Sequence, residues 1–438
     1  MTLTRRFTTK LLVAALAFAA TLAVLTVGRS GRSSDQAAPG AEPAFVPATS
    51  QSTDARIGSL QAAVKAEPDD ARGYASLAQA YLQKVRETGD ASFYARADAV
   101  LKRALRLDPR SADALVVAGS LALARHDFGA ALELGRRARA LAPDLASPYA
   151  VVVDASIELG RYRQAGAALQ RWVDLKPALA SYARVSYWRE LHGDLAGAAD
   201  ALRAALSAGG DVAENGAYVQ TLLGNLELQR GRVRSADLAY RAALARFEGY
   251  APAQAGRARV AAMRGDLAAA IRRWRTVVAQ LPLPEYVIGL GETELAAGRR
   301  AAARHDLALV RAEERLLRSA RVDTDAELAV FEASHGSPRR AVALAQRARA
   351  KARSVRSADA FGWALTRAGR PEEGLRQAQQ ALRLGSRDPL FLYHAAVAAK
   401  EAGRQRLAKT WLRRALRDNP RFSPLYAPKA RRMLEALR

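Results

Sequence analysis

The residues that could carry out catalysis or bind a metal are few and stand far apart. No pair among the five histidines has the i, i+4 spacing that places two zinc ligands on one face of a helix. Cysteine is absent, which excludes disulfides, thiolate metal sites and cysteine nucleophiles. We therefore expect no catalytic site, no metal and no cofactor. The histidines are His126, His192, His305, His335 and His394.

Adjacent carboxylates are a second feature that could support chemistry, because two acids close together can act as a general acid and a general base. Such pairs occur at Glu313-Glu314 and Glu372-Glu373. Arginines stand beside both pairs at helical spacing, so we interpret the acids as parts of solvated helix faces. Gly289-Leu290-Gly291 lacks the third glycine of a phosphate-binding turn. The sequence thus predicts a protein that is not an enzyme.

The excess of basic residues is the strongest signal apart from the fold. The chain carries 68 Lys and Arg against 43 Asp and Glu, a net charge of +25. Arginine-rich faces could hold an acidic protein or an anionic envelope polymer, or they could serve solubility alone. Nucleic acid is disfavoured because few aromatic residues are interleaved with the basic ones. A dense basic stretch comprises Arg339, Arg340, Arg347, Arg349, Lys351, Arg353 and Arg356.

An apolar run over residues 11–28 predicts export from the cytoplasm. Basic residues flank it, with Arg5, Arg6 and Lys10 before it and Arg29 and Arg32 after it. Eighteen helical residues span ~27 Å, close to the thickness of the hydrocarbon core. Residues 1–28 are therefore either a cleaved signal peptide or an uncleaved signal anchor oriented N-in, C-out. The Ser-, Pro- and Ala-rich residues 29–56 are predicted to be a flexible linker, and the expected location is extracytoplasmic.

Glycine-containing turns recur along the rest of the chain with a period near 34 residues. The successive spacings are 33, 38, 34, 33, 38, 33 and 34, and the longer ones predict one additional helical turn. Each glycine is expected to end a first helix in the left-handed conformation. The glycines are Gly160, Gly193, Gly231, Gly265, Gly298, Gly336, Gly369 and Gly403, and His126 occupies the same place 34 residues before Gly160.

The residues around these turns resemble the tetratricopeptide repeat family over residues 57–438. In residues 112–143, for example, Leu115 takes the large position and Gly119 the small position of the first helix. Ala131 and Ala138 take the small positions of the second helix, and Pro143 ends it. Residues 359–364 and 419–428 are also similar to uncharacterised bacterial tetratricopeptide-repeat proteins.

The resemblance implies an all-α fold, a right-handed α-solenoid of about ten helix–turn–helix units. Residues 57–110 would hold a half-unit and a first unit with an extended loop over residues 85–92. Residues 111–420 would hold the repeated units, and residues 421–438 a C-terminal cap over the last exposed apolar face.

In this family the first helix of each unit lines a concave groove, so the resemblance also implies where a partner binds. Trp363 is expected either to anchor a partner or to be half-buried between units. The predicted partner-binding residues are Asp154, Tyr187, Asn225, Arg259, Glu292, Asp359, Trp363, Arg367, Tyr393 and Lys400.

These patterns together predict a non-catalytic scaffold whose groove binds protein or peptide segments outside the cytoplasm. The alternative is electrostatic binding of an anionic envelope polymer or an acidic protein through the arginine-rich faces. Residues 11–28 would contact the membrane if they are not cleaved.

Overall fold

The computed structural model describes residues 52–209 and 212–437, and the elements in these ranges are α-helices. They are α1 (Thr53–Ala66), α2 (Ala71–Thr88), α3 (Ser92–Leu107), α4 (Ala112–Ala124), α5 (Phe128–Leu141), α6 (Ala146–Glu158), α7 (Tyr162–Leu175), α8 (Leu179–Leu191), α9 (Leu195–Ser207), α10 (Ala213–Gln229) and α11 (Val233–Arg246). They continue with α12 (Ala251–Met263), α13 (Leu267–Gln280), α14 (Pro284–Ala296), α15 (Arg300–Ser319), α16 (Asp325–His335), α17 (Pro338–Lys351), α18 (Val355–Arg367), α19 (Pro371–Ala381), α20 (Pro389–Glu401), α21 (Gln405–Asp418) and α22 (Tyr426–Ala436).

The predicted export segment and most of the predicted linker lie outside the described residues. Helix α1 begins at Thr53, inside the range predicted to be linker, where the Ser52 hydroxyl accepts a hydrogen bond from the Ala55 N–H. In the part of the chain that the structure describes, no helix is both long enough and apolar enough to cross a membrane.

Helices α2 to α21 pack as ten consecutive pairs, which we number as units 1 to 10, so that α2–α3 is unit 1 and α20–α21 is unit 10. Helix α1 precedes the first pair and α22 covers the last. The predicted all-α solenoid of about ten units is therefore confirmed.

Small residues allow the helices of this solenoid to approach closely, as predicted. A Cβ added at Gly119 would lie 2.7 Å from Cγ1 of Val151 in the next unit. Tyr240 fills the space between Gly224 and Gly256, where an added Cβ would lie 2.5 and 2.3 Å from its Cε1. Such contacts leave no room for a side chain, so glycine is required where these helices cross.

The turn inside each unit mostly has the predicted left-handed conformation. Gly160, for example, has φ +74°, and His126 has φ +60° at the turn that lacks a glycine. Gly336 is an exception, with φ −132°. The Glu332 carboxylate there accepts a hydrogen bond from the Ser337 N–H and leaves no room for a side chain at residue 336. Close approach therefore explains this glycine, and the prediction of a left-handed cap was wrong at this turn.

The extended loop predicted over residues 85–92 is also wrong. Helix α2 continues to Thr88, and Gly89 ends it with φ +69°. Val85 is buried, and the additional turn carries Glu87, whose carboxylate accepts a hydrogen bond of 2.6 Å from the Thr53 hydroxyl. This last turn of α2 is stabilised by its packing against α1.

Insertions lengthen helices where the 38-residue spacings occur. Helix α10 has 17 residues where α8 has 13, which confirms one additional turn there. Helix α15 has 20 residues. Its C-terminal end packs near unit 1, which belongs to the preceding turn of the superhelix. Leu317 and Val322 at that end share a core cluster with Leu77 and Tyr81 of α2.

Successive turns of the superhelix touch each other. The turn inside each of units 2 to 6 meets a loop that lies four to six units later in the chain, and we call this line of contacts the seam. It joins His126 to Asp323, Tyr162 to Val355, Gly193 to Gly385, Leu228 to Asn419, and Met263 to Arg421.

The hydrogen bonds along the seam that are named here each have a backbone group as donor or acceptor. The Asp323 N–H donates to the Arg125 carbonyl at 3.0 Å, and the Val355 N–H donates to the Tyr162 hydroxyl at 2.8 Å. Asn419 donates through Nδ2 to the Leu228 carbonyl at 2.7 Å. The seam thereby closes the superhelix around its interior.

Candidate functional site: the interior of the superhelix

A cavity of about 320 Å³ lies inside the superhelix, and we call it the central cavity. The first helices of units 3, 4 and 5, which are α6, α8 and α10, form one side of it. The first helices of units 8 and 9, α16 and α18, form the other. Its charged and aromatic lining includes Glu158, Arg184, Tyr187, Glu190, Tyr218, Glu327, Lys351 and Arg356.

Helical periodicity places these side chains in the cavity. Arg184, Tyr187 and Glu190 stand three residues apart on α8, so they share one face of that helix. Tyr218 and Asn225 stand seven residues apart on α10 and share its inner face in the same way. The opposite wall is supplied across the seam.

A buried ion pair supports the cavity wall on α6 and α8. Arg184 Nε lies 2.6 Å from Oδ1 of Asp154, and Arg184 Nη2 lies 2.7 Å from Oδ2. Both side chains are buried, and the guanidinium carbon of Arg184 lies 5.7 Å from the centre of the Tyr187 ring. The pair fixes the orientation of Arg184, because a charge left alone at this depth would be strongly destabilising.

Arg356 extends into the cavity from α18. Its side chain is exposed to the cavity space, although protein surrounds it. Tyr187, Glu158 and Glu327 lie around it and raise its pKa, so the guanidinium stays charged. The Tyr187 hydroxyl donates to Oε1 of Glu158 at 3.3 Å, and burial raises the pKa of Tyr187. Tyr187 therefore remains a protonated donor.

The carboxylates of the cavity have few compensating charges. Burial raises the pKa of Glu190 to about 7, Asp388 adds to the rise, and Arg356 opposes it. Arg356 is the guanidinium close enough to both Glu158 and Glu327 for these carboxylates to raise its pKa. At the rim, the Lys351 ammonium pairs with the Asp323 carboxylate, and these two charges cancel.

A comparison with protein-family models found the tetratricopeptide repeat at residues 89–146 and 221–279. The ten helix pairs continue the same arrangement beyond the matched ranges. The chain contains tetratricopeptide repeats. The tetratricopeptide fold is that of protein–protein interaction scaffolds, and the family is generally non-catalytic.

Solved structures with a similar fold include a thermophilic tetratricopeptide-repeat protein from Thermus thermophilus, at 24% identity, 39% coverage of this chain, 90% of that chain and a TM-score of 0.35. The tetratricopeptide-repeat protein YrrB, described as having an unusual peptide-binding site, matches at 19% identity, 45% and 96% coverage and a TM-score of 0.28. The human IFIT1 dimer with PPP-AAAA matches at 15% identity, 83% and 86% coverage and a TM-score of 0.47. Among curated proteins no match was found.

The repeat protein brings some of its predicted partner-binding residues to the central cavity. Tyr187 and Asn225 line it, and Asp154 lies behind Arg184 in its wall. Asn225 Oδ1 accepts hydrogen bonds from the Tyr240 hydroxyl at 2.8 Å and from Arg259 Nη2 at 3.0 Å. Arg259 itself is exposed.

The second predicted cluster, in units 9 and 10, is mostly buried. Trp363 is only 4% exposed, and its Nε1 donates to the Ser334 hydroxyl at 3.0 Å. The ring stacks on His394 with centroids 4.2 Å apart, and His394 Nδ1 lies 3.0 Å from Oδ2 of Asp359. Trp363 thus packs between units, which was one of the two expectations from the sequence. It is almost fully buried, whereas that expectation had it half-buried. In this buried position the Trp363 ring offers no surface on which a partner could anchor.

The remaining predicted residues divide between the core and the surface. Tyr393 is buried beside Trp363, whereas Arg367 and Lys400 are exposed. Oε1 of Glu292 accepts a hydrogen bond of 3.1 Å from the Tyr426 hydroxyl and lies 2.9 Å from His335 Nε2. Because Tyr426 begins the last helix, Glu292 holds the C-terminal cap in place.

Three residues of the basic stretch form ion pairs with acids, namely Arg340, Arg347 and Lys351. Arg347 bonds Asp325 through two nitrogens at 3.0 Å each, and Arg340 bonds Glu314 at 3.1 Å. Glu313 and Glu314 are both buried, so their interpretation as a solvated face was wrong. The long helix α15 explains the error, because its C-terminal half is covered by neighbouring units.

Sequence reasoning missed several cavity residues that carry charge. Glu158 follows Asp154 by four residues and Glu190 follows Tyr187 by three, so helical spacing alone could have found both. Arg356 was recognised only as part of the basic stretch. Glu327 had no sequence signal, because it reaches the cavity from the other side of the seam. Within residues 52–209 and 212–437, no group of three or more potential metal ligands comes together.

Proposed function

We propose that this tetratricopeptide-repeat protein is a non-catalytic scaffold that captures a segment of a partner protein inside its superhelix. The observation that carries this proposal is the central cavity, which is walled by the first helices of five units. These are the helices that the family resemblance assigns to ligand binding.

The dimensions of the central cavity favour a short segment over a folded domain. Its volume of about 320 Å³ lies at the lower end of the range of about 300–1,000 Å³ for ligand pockets. Two tyrosines and several charged groups supply both apolar surface and hydrogen bonding. Because the seam holds the two walls together, a partner segment would meet a preformed surface, and preformed surfaces lose less entropy on binding.

The scaffold is proposed to act outside the cytoplasm, tethered or exported by residues 1–28. The apolar run over residues 11–28 and its flanking basic residues support this location. Recovery of the protein with the cytosol after cell fractionation would overturn it.

The experiment that tests partner capture compares two variants that gain the same large side chain. Ala326 lines the central cavity, so Ala326→Trp would obstruct it. Leu238 is 67% exposed on α11, so Leu238→Trp adds the ring outside. Each full-length protein serves as bait in its own cell envelope, with nuclease treatment and washes at low salt and at ~0.5 M salt.

The proposal expects discrete proteins that survive the high-salt wash with the wild-type and Leu238→Trp baits and are lost with Ala326→Trp. Capture that is equal for both variants would overturn the interior as the binding site. Recovery of a salt-labile anionic polymer alone would favour the arginine-rich faces.

A further inference from the structure

The central cavity is acidic inside a strongly basic protein. The Arg184 charge is balanced by Asp154, and the Lys351 charge is balanced by Asp323. Among the charged residues that line the cavity, this leaves the carboxylates of Glu158, Glu190 and Glu327 against the guanidinium of Arg356. When all are ionised, three negative charges face one positive charge, whereas the whole chain has a net charge of +25.

Arg356 shows which chemistry these acids and tyrosines accommodate. Its guanidinium lies beside Tyr187, with Glu158 and Glu327 close enough to raise its pKa. The cavity therefore already surrounds one basic side chain with a phenol and carboxylates. A second basic group would complete the charge balance.

A second, smaller cavity next to Glu327 contains an acid that lacks a partner. This cavity of about 60 Å³ is lined by Glu285 and Glu327, and Glu327 also lines the central cavity. Oε2 of Glu285 is buried and has no hydrogen-bond partner among the described residues. A buried acceptor without a donor is costly, so its presence beside Glu327 favours a ligand that brings donors.

We propose that the central cavity binds a lysine or arginine side chain of the captured partner segment. This inference rests on the proposed function and names the recognised group. Because the exterior is basic, residues that flank this side chain in the partner are acidic or neutral, since a polybasic segment would be repelled on approach. The partner segment thus presents one basic residue whose neighbours in the sequence are acidic or neutral.

The test uses five pools of fluorescent nonapeptides with randomised acidic and neutral flanks. The central residue is arginine, lysine, citrulline, norleucine or glutamate. Citrulline has nearly the shape of arginine without its charge, so it isolates the effect of the charge. Binding to the full-length protein is measured by fluorescence anisotropy. The inference expects the arginine and lysine pools to bind at least about tenfold more tightly than the other three.

Two cavity variants and one outer variant identify the site. Glu190→Gln and Glu327→Gln each keep the shape of the side chain and remove its charge, so each should weaken binding of the arginine pool severalfold. Glu373 pairs with Arg370 on the outside, so Glu373→Gln should leave binding unchanged. Circular dichroism confirms that the variants are folded.

Binding by the arginine pool should also weaken as the pH falls from 8 to 6, because Glu190 gains a proton in this range. The charged groups that face Glu190 from other helices are Asp388 and Arg356, and Glu190→Gln should remove most of the pH dependence.

Equal binding of the arginine and citrulline pools would overturn the inference. If Ala326→Trp still abolished partner capture, the proposed function would stand and only the identity of the recognised group would fail. If Ala326→Trp left capture intact, the proposed function itself would fail.

Discussion

Glu313 and Glu314 show how much the surroundings of a single residue decide. Both carboxylates are buried on α15, and their sequence context is the same. Glu314 pairs with Arg318 and Arg340, whereas Oε2 of Glu313 has no hydrogen-bond partner among the described residues. Burial raises the pKa of Glu313 to about 7. Glu314 thus stabilises the fold, whereas Glu313 lowers the free energy of unfolding at neutral pH.

The substitution Glu313→Gln should therefore stabilise the protein at pH 8. A raised pKa means that the folded state holds the proton up to about pH 7, whereas the unfolded chain releases it near the ordinary value of about 4.5. The wild type loses stability as the pH rises between these values, and the amide does not. We expect a gain of about 1–2 kcal/mol at pH 8 and almost none at pH 4.5, measured by urea unfolding.

Glu314→Gln provides the matched comparison on the same helix. It removes the partner of two arginines, so it should destabilise the protein by about 1 kcal/mol at pH 8. Stabilisation by both substitutions, or by neither, would contradict this account of the two acids.

At the scale of the elements, the turns inside the units differ in what surrounds them. Gly160 and Gly369 have nearly the same φ, +74° and +76°. A Cβ at Gly160 would lie 2.2 Å from the Arg353 carbonyl across the seam, whereas a Cβ at Gly369 would have no neighbour within 4 Å. Alanine substitutions at these two glycines therefore distinguish the free-energy cost of the left-handed conformation from the free-energy cost of disturbing the seam.

Gly369→Ala should cost about 1 kcal/mol, the usual penalty for a left-handed alanine. Gly160→Ala should cost at least about 1 kcal/mol more, because the methyl group must displace the 353 carbonyl. Hydrogen exchange at the Val355 amide, which donates to Tyr162, should increase only in Gly160→Ala. Equal costs for the two substitutions would show that the seam contributes nothing.

The sequence predicted the elements well because their signals are local. The turn glycines, the small residues at Gly119 and Ala131, and the extra turn of α10 all follow from the repeat period. Contacts between distant units have no such signal. The seam depends on the pitch of the superhelix, and so do the contacts of Leu317 with unit 1 and the position of Glu327. The burial of Trp363 depends on Ser334 and His394 in neighbouring units, which a pattern within one unit cannot show.

At the scale of the whole molecule, the closed superhelix separates two electrostatic environments. The outside carries most of the positive charge, much of it in ion pairs such as Arg347 with Asp325. The interior carries more carboxylates than basic groups to balance them, in a cavity of about 320 Å³. Rigid walls, an acidic interior and a basic exterior are what a scaffold needs to select one kind of segment and repel others.

Photo-crosslinking in living cells tests the interior as the binding site most directly. The photoreactive residue p-benzoylphenylalanine replaces Tyr187, which faces the central cavity, or Leu238, which is exposed on the outer face. Our account predicts discrete adducts with partner proteins from position 187 and none of these adducts from position 238. Adducts from position 238 alone would contradict it, because partners would then bind the outside of the superhelix.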